Sequence, residues 1–141
     1  MRSENLKPHT TKTFSLPKKK RLTDNSQFRT VMANGKRLSD GLLTMYVVKN
    51  DFGYSRLGVS VGKSHGNAIV RNRLKRILRE TFRQSQDRIP AGFDYLLMIS
   101  PQLSKKSGDK DAAKELTFEK VKNSFLAIVN SSLKTNNTND Y

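Results

Sequence analysis

The sequence predicts an α+β fold: a single small domain with three helices and about four strands. Apolar residues recur at helical spacing in three stretches, 23–35, 68–84 and 117–129. Between them lie runs rich in β-branched and aromatic residues, "GLLTMYVVKN", "YSRLGVSVG" and "FDYLLMIS". The length of 141 residues suits one compact domain that buries about two-thirds of its unfolded surface, and is short for two.

Residues 1–20 are polar and basic without periodicity, which predicts a disordered arm, and 21–133 form the folded domain. In "TDNSQFRTVMANG" Asp24 caps a first helix, with Gln27 three residues on as in a capping box. Phe28, Val31 and Met32 share its apolar face, and Gly35 suits its end. A short strand is expected near 36–39, then strands at 41–50 and 54–62, which "NDFG" joins as a hairpin. The second helix runs from Ala68 to Gln84, with Val70, Leu74, Ile77, Leu78 and Thr81 on one arc. "IPAG" turns the chain into a buried strand at 93–100, closed by Pro101. A flexible polar loop at 102–115 leads to a third helix capped by Thr117, and 134–141 is a frayed tail.

Charge is the strongest global signal. Lys and Arg number 27 against 12 Asp and Glu, a formal +15. Such self-repulsion favours attachment to a polyanion, with nucleic acid the first expectation and an anionic membrane surface the competitor. The chain has no cysteine, which excludes disulfides and thiolate metal sites and fits a reducing, cytoplasmic compartment. Its longest apolar stretch, around "YLLMI", is far short of a membrane span. His9 and His65 have no partner at metal-ligand spacing, and the acids stand singly at caps and turns. No catalytic or metal-binding residue is therefore assigned.

The second helix carries the functional signal. Arg71, Lys75, Arg79 and Arg83 form an i+4 row, Asn72 and Arg76 lie on the same outward half, and Arg73 sits at the opposite margin of the apolar stripe. Glu80 is the only acid in the helix, so a solvated mixed-charge face is the weaker reading. Forked guanidinium groups suit phosphate oxygens. The preceding "GKSHGN" adds Lys63 and backbone donors near the helix N-terminus. Phe28 reads as a core residue, and Tyr46 as a strand residue whose hydroxyl reaches the sheet margin, unless the first helix crosses the sheet obliquely. In that arrangement both rings line a groove and stack bases.

The stretch "GNAIVRNRLKR" resembles the signature of the bacterial ribonuclease P protein subunit, and the resemblance extends from about Pro17 to Leu133. It implies a mixed sheet of about four strands with three helices and a left-handed βαβ crossover. It also implies that the catalyst is a large partner RNA, which positions Mg²⁺ and removes the 5′ leader of precursor tRNA. The protein alone is then inactive and acts as a monomer with one RNA. By this resemblance Arg71, Asn72, Arg73, Lys75 and Arg76 face RNA, with Asn67 in the adjoining turn; the charge pattern adds Lys63 and Arg79 to that surface, and Phe28 and Tyr46 fall on positions of the leader-binding cleft. Lys63-Ser64 stands where the family usually has a basic pair, and Met32 where a second aromatic is frequent. The alternatives are a structural RNA-binding protein such as a ribosomal component, and, last, a peripheral membrane binder.

Overall fold

The computed structural model describes residues 18–101, 103 and 113–133. The expectations for 1–17, 102, 104–112 and 134–141 lie outside the described residues. In chain order the elements are α1 (Asn25–Asn34), β1 (Lys36–Ser39), β2 (Leu43–Lys49), β3 (Arg56–Ser60), α2 (Ala68–Gln84), β4 (Phe93–Ile99) and α3 (Phe118–Ile128). Single 3-10 turns stand at Lys18–Lys20, Lys63–His65 and Gln86–Arg88, and a π-helical turn, Val129–Leu133, extends α3.

Local chemistry sets the helix starts. Asp24 Oδ1 accepts from the Gln27 N–H at 2.8 Å, and Gln27 Oε1 accepts from the Asp24 N–H at 3.3 Å, so the capping box forms. The bond from the Gln27 N–H, with a smaller contribution from the Ser26 hydroxyl, holds the Asp24 carboxyl below its ordinary pKa. Thr117 Oγ1 accepts from the Lys120 N–H at 3.2 Å and opens α3 in the same way.

The sheet order is β1-β2-β4-β3, antiparallel except for the parallel β3–β4 pair. The expected hairpin between β2 and β3 is therefore corrected: β4 lies between them. Tyr95, Leu96 and Leu97 of β4 are 0%, 1% and 0% exposed, so this strand is covered on both faces and belongs in the sheet interior. Local turn chemistry could not report that later competitor.

The hand of the β3–α2–β4 crossover follows from the hydrogen bonds. The Ser100 N–H donates to the Leu42 carbonyl at 2.9 Å, and the Asn50 N–H to the Gly92 carbonyl at 2.8 Å. Even-numbered residues of β2 and β4 thus turn their peptide groups toward each other, and odd-numbered residues of β4 turn theirs toward β3. The odd side chains Tyr95, Leu97 and Ile99 share one core with Leu74, Leu78 and Phe82 of α2. For L-residues this places β3 to the right of β4, seen from α2 with the strands running up. The chain steps left, so the crossover is left-handed, an uncommon hand.

α2 and α3 cover one sheet face, where Leu74, Leu78, Phe82, Val121 and Phe125 pack on Met45, Val47, Tyr95, Leu97 and Ile99. Each large apolar side chain buried there contributes about 1.5–3 kcal/mol. The chain returns to this core at Ala113 and Leu116, which are buried. α1 covers the other face, where Val31, Leu22 and Leu96 are buried and Phe28, Tyr46, Val48 and Met98 are half-buried against them.

Candidate nucleic-acid interface

The turn before α2 is built for close packing. Gly66 has φ +140°, and a Cβ there would lie 2.9 Å from the Val70 Cβ, so both conformation and space require glycine. Asn67 caps the helix: its Oδ1 accepts from the Val70 N–H at 3.1 Å, while the residue stays exposed. Lys63 is exposed in the same turn. His65 is 1% exposed, and burial pushes its imidazole pKa down, against a smaller upward pull from a hydrogen bond to the Ile99 backbone. The sequence marks His65 only as lacking a partner at metal-ligand spacing, and its burial is a finding of the structure.

On α2 the predicted cations divide. Asn72, Arg76 and Arg79 are exposed, and Arg71 and Lys75 are half-buried at the margin. Arg71 Nε donates to the Gly66 carbonyl at 3.2 Å, steadying the turn while its two terminal nitrogens keep their donors. Glu80 pairs with Arg83 through two hydrogen bonds, one of 3.0 Å, and with Gln84 at 2.6 Å. The Arg83 bond is the main reason that the Glu80 carboxyl stays below its ordinary pKa. The helix's single acid is thus spent at its C-terminal end. Among the described residues, Arg71, Lys75, Arg76 and Arg79 have no carboxylate partner within ion-pair distance. Arg73 differs. It donates to the Leu116 carbonyl at 2.7 Å and the Lys114 carbonyl at 3.4 Å, tying α2 to the approach to α3.

The second face of the site is a row across the sheet. Gly58, Leu96, Tyr46 and Arg37 stand opposite one another on β3, β4, β2 and β1. A Cβ on Gly58 would lie 2.7 Å from Phe28 Cε1 and 3.0 Å from the Leu22 Cβ, so the missing side chain makes room for the ring. Phe28 and Tyr46 are both half-buried and lie on either side of buried Leu96, with neighbouring strands about 4.8 Å apart. The structure brings both onto the α1-covered face, and of the two rings Phe28 lines the groove described below. Met32 is 42% exposed on the same helix.

β3 is an edge strand, and residues before α1 protect it. The Leu22 N–H donates to the Leu57 carbonyl at 2.7 Å, and Arg21 bridges Leu57 in parallel. Beside this edge opens a groove of about 290 Å³ whose lining includes Arg21, Thr23, Phe28, Val59, Lys75 and Arg79. Two α2 cations and one cleft ring therefore share a single concavity. Sequence reasoning missed Gly58, Arg21 and Thr23. The alternation of "RLGVSVG" could have flagged Gly58 as the small residue on the α1 side.

Comparison with known proteins identifies the family. The family profile described as Ribonuclease P matches residues 16–126. The chain belongs to the ribonuclease P protein family. It is accordingly a protein component of a tRNA-processing endonuclease, and the ribosomal alternative is set aside. The chain is 34% identical to the ribonuclease P protein component of Petrotoga mobilis over 112 residues, 79% of this chain and 90% of that one. It is 32% identical to the Bacillus cereus ribonuclease P protein component over 118 residues, 83% of this chain and 94% of that one. Among solved structures, the Thermotoga maritima RNase P protein superimposes with a TM-score of 0.64 at 33% identity, covering 76% of this chain and 92% of that one.

Proposed function

We propose that this ribonuclease P protein binds the RNA subunit through α2 and holds the single-stranded 5′ leader of precursor tRNA beside α1. The observation that carries the reading is the shared groove: Lys75 and Arg79 line it with Phe28, so phosphate and base contacts are available to one strand. Asn67, Arg71, Asn72 and Arg76, with Lys63 in the preceding turn, extend the cationic surface from that groove. Arg73 contributes mainly by fixing α2 against the segment before α3. Tyr46 supplies the second ring of the cleft.

In this reading the chemistry belongs to Mg²⁺ held by the RNA, which activates water and stabilises the leaving oxygen. Among the described residues, the carboxylates nearest the site are engaged elsewhere: Asp94 is closed by Arg56 and Asn50, Glu80 by Arg83, and Asp24 caps α1. The protein's part is to lower phosphate repulsion, position the substrate and favour the precursor over mature tRNA. It does so in the cytoplasm as one copy per RNA.

Two measurements test this proposal. Purified protein cleaves no precursor tRNA, and its addition to the RNA lowers the Mg²⁺ concentration needed for cleavage. Metal-dependent trimming by RNA-free protein would refute the division of labour. In the holoenzyme, Tyr46→Ala and Phe28→Leu weaken binding of precursor tRNA about five- to 50-fold, within the range for base stacking, and leave mature tRNA unaffected. Equal losses for both tRNAs would reduce the rings to a packing role.

A further inference from the structure

We infer that the turn between β2 and β3 is a second stacking site for an unpaired RNA nucleotide, centred on Phe52; this rests on the RNA-binding reading above. Phe52 is 52% exposed, and no part of the core uses it. The turn nevertheless holds the ring in place. Asn50 Oδ1 accepts from the Phe52 N–H at 2.9 Å, and Asn50 Nδ2 donates to the Tyr54 carbonyl at 3.1 Å and to Asp94 Oδ1 at 2.8 Å. Beneath the ring, the Arg56 guanidinium lies 4.4 Å from its centroid. That guanidinium is itself fixed, through Nε and a terminal nitrogen, to the two oxygens of buried Asp94 at 2.8 and 2.7 Å. An exposed aromatic backed by an immobilised planar cation has already lost the freedom that a ligand would otherwise have to remove.

The surroundings indicate the ligand. The Tyr54 ring lies 5.6 Å from Phe52, and the ammonium groups of Lys19 and Lys20 stand 5.2 and 5.7 Å from the Tyr54 centroid. Lys49 borders the adjoining groove of about 400 Å³, together with Gln27, Asp51 and Phe52. Among the described residues of that groove Asp51 is the one exposed acid; Asp94 is buried and its charge is matched by Arg56. A ring for a base with lysines for the flanking phosphates is the chemistry of single-strand recognition, which does not depend on base identity. The site also lies on a path from the first. Lys18–Lys20 run directly into Arg21, which lines the groove holding Phe28, Lys75 and Arg79. A strand leaving that groove along Lys20 and Lys19 reaches Tyr54 and Phe52. The nucleotide comes either from the substrate leader or from an unpaired segment of the RNA subunit, and the stacking chemistry is the same.

The chain has no tryptophan, which makes the test direct. Phe52→Trp places a single indole on the platform. Its emission is quenched on titration with a single-stranded RNA decamer and unaffected by a duplex of equal length. Phe52→Ala weakens binding of the decamer about five- to 20-fold, and Phe52→Tyr restores it. In the holoenzyme, a Phe52→Ala loss confined to precursor tRNA assigns the nucleotide to the leader, and a loss of affinity for the RNA subunit assigns it to that RNA. An indole that stays silent while the protein binds the decamer, or a Phe52→Ala variant that binds as tightly as the native chain, overturns the site and leaves the α2 interface standing. A native protein that bound no RNA would overturn both.

Discussion

Arg73 and Arg76 lie one turn apart on the same helix, carry the same charge, and do different work. Arg73 reaches back to the carbonyls of Leu116 and Lys114, and so acts as a clamp between α2 and the start of α3. Arg76 is exposed and, among the described residues, has no partner at hydrogen-bond or ion-pair distance. A count of basic residues treats them as equal. Their neighbours do not, because a guanidinium that satisfies main-chain acceptors stabilises the fold, whereas an unoccupied one raises the potential seen by a polyanion. Glu80 sharpens the contrast: it neutralises Arg83 at the C-terminal end and leaves the N-terminal half of α2 uniformly positive.

The largest effect separating the two kinds of arginine should come from removing the unoccupied ones. Arg76→Ala with Arg79→Ala is expected to weaken binding to the RNA subunit about 30- to 100-fold at low salt. Two lost phosphate contacts also flatten the salt dependence by about 1.8 units of slope. Thermal stability stays within about 0.5 kcal/mol, as for exposed positions without specific contacts. Salt titration and calorimetry on the same preparation decide the matter, and an unchanged slope would make these side chains a solvated face.

Arg73→Ala should show the opposite pattern. Loss of charge-assisted bonds to two carbonyls, one of them long, costs about 1–2 kcal/mol of stability. The salt slope should change by less than about 0.5. If the variant melts like the native protein and loses a full unit of slope, Arg73 belongs with Arg76 after all.

A smaller effect concerns His65, in the turn that feeds α2. Its pKa in the folded state lies below the ordinary 6.5 because burial penalises the imidazolium. Below that value the unfolded chain takes up a proton that the native turn resists, so stability should decline as pH falls through about 6.5 and should not depend on this group above it. Denaturant melts across pH 5–8 would show the decline, and His65→Phe should remove it. A native profile that stays flat would mean that the turn accepts the charged ring.

The smallest change lies on the buried face of the same helix. Thr81 Oγ1 is buried without a hydrogen-bond partner among the described residues, as is Ser85 Oγ. Thr81→Val removes an unsatisfied hydroxyl at nearly constant volume, so it should be neutral or stabilising by up to about 1 kcal/mol, with RNA affinity unchanged. A clear loss of stability would show that an internal water satisfies this hydroxyl.

Much of this was legible in the sequence because it is local. Asp24 with Gln27, and Thr117, marked helix starts through bonds that span three residues. The bounds of α2 could be read directly, since a long amphipathic helix declares its period and Glu80 stands alone among its cations. Which side chains are functionally equivalent was not legible. The partner of Arg73 is more than 40 positions away in the chain, and neither Lys114 nor Leu116 has a motif that announces it.

By itself, the sequence determined the element inventory, the net charge of +15, and a basic helix preceded by a Gly-Asn turn. These depend on backbone propensity, periodicity and composition, which act over a few residues or not through contacts at all. Only the tertiary structure decided that β4 separates β2 from β3, that the crossover is left-handed, and that Phe28 lies over Gly58 beside Lys75 and Arg79. Each of those outcomes depends on elements distant in the chain competing for the same apolar faces. Burial on both faces of the sheet settles that competition, and no short stretch of sequence records the result.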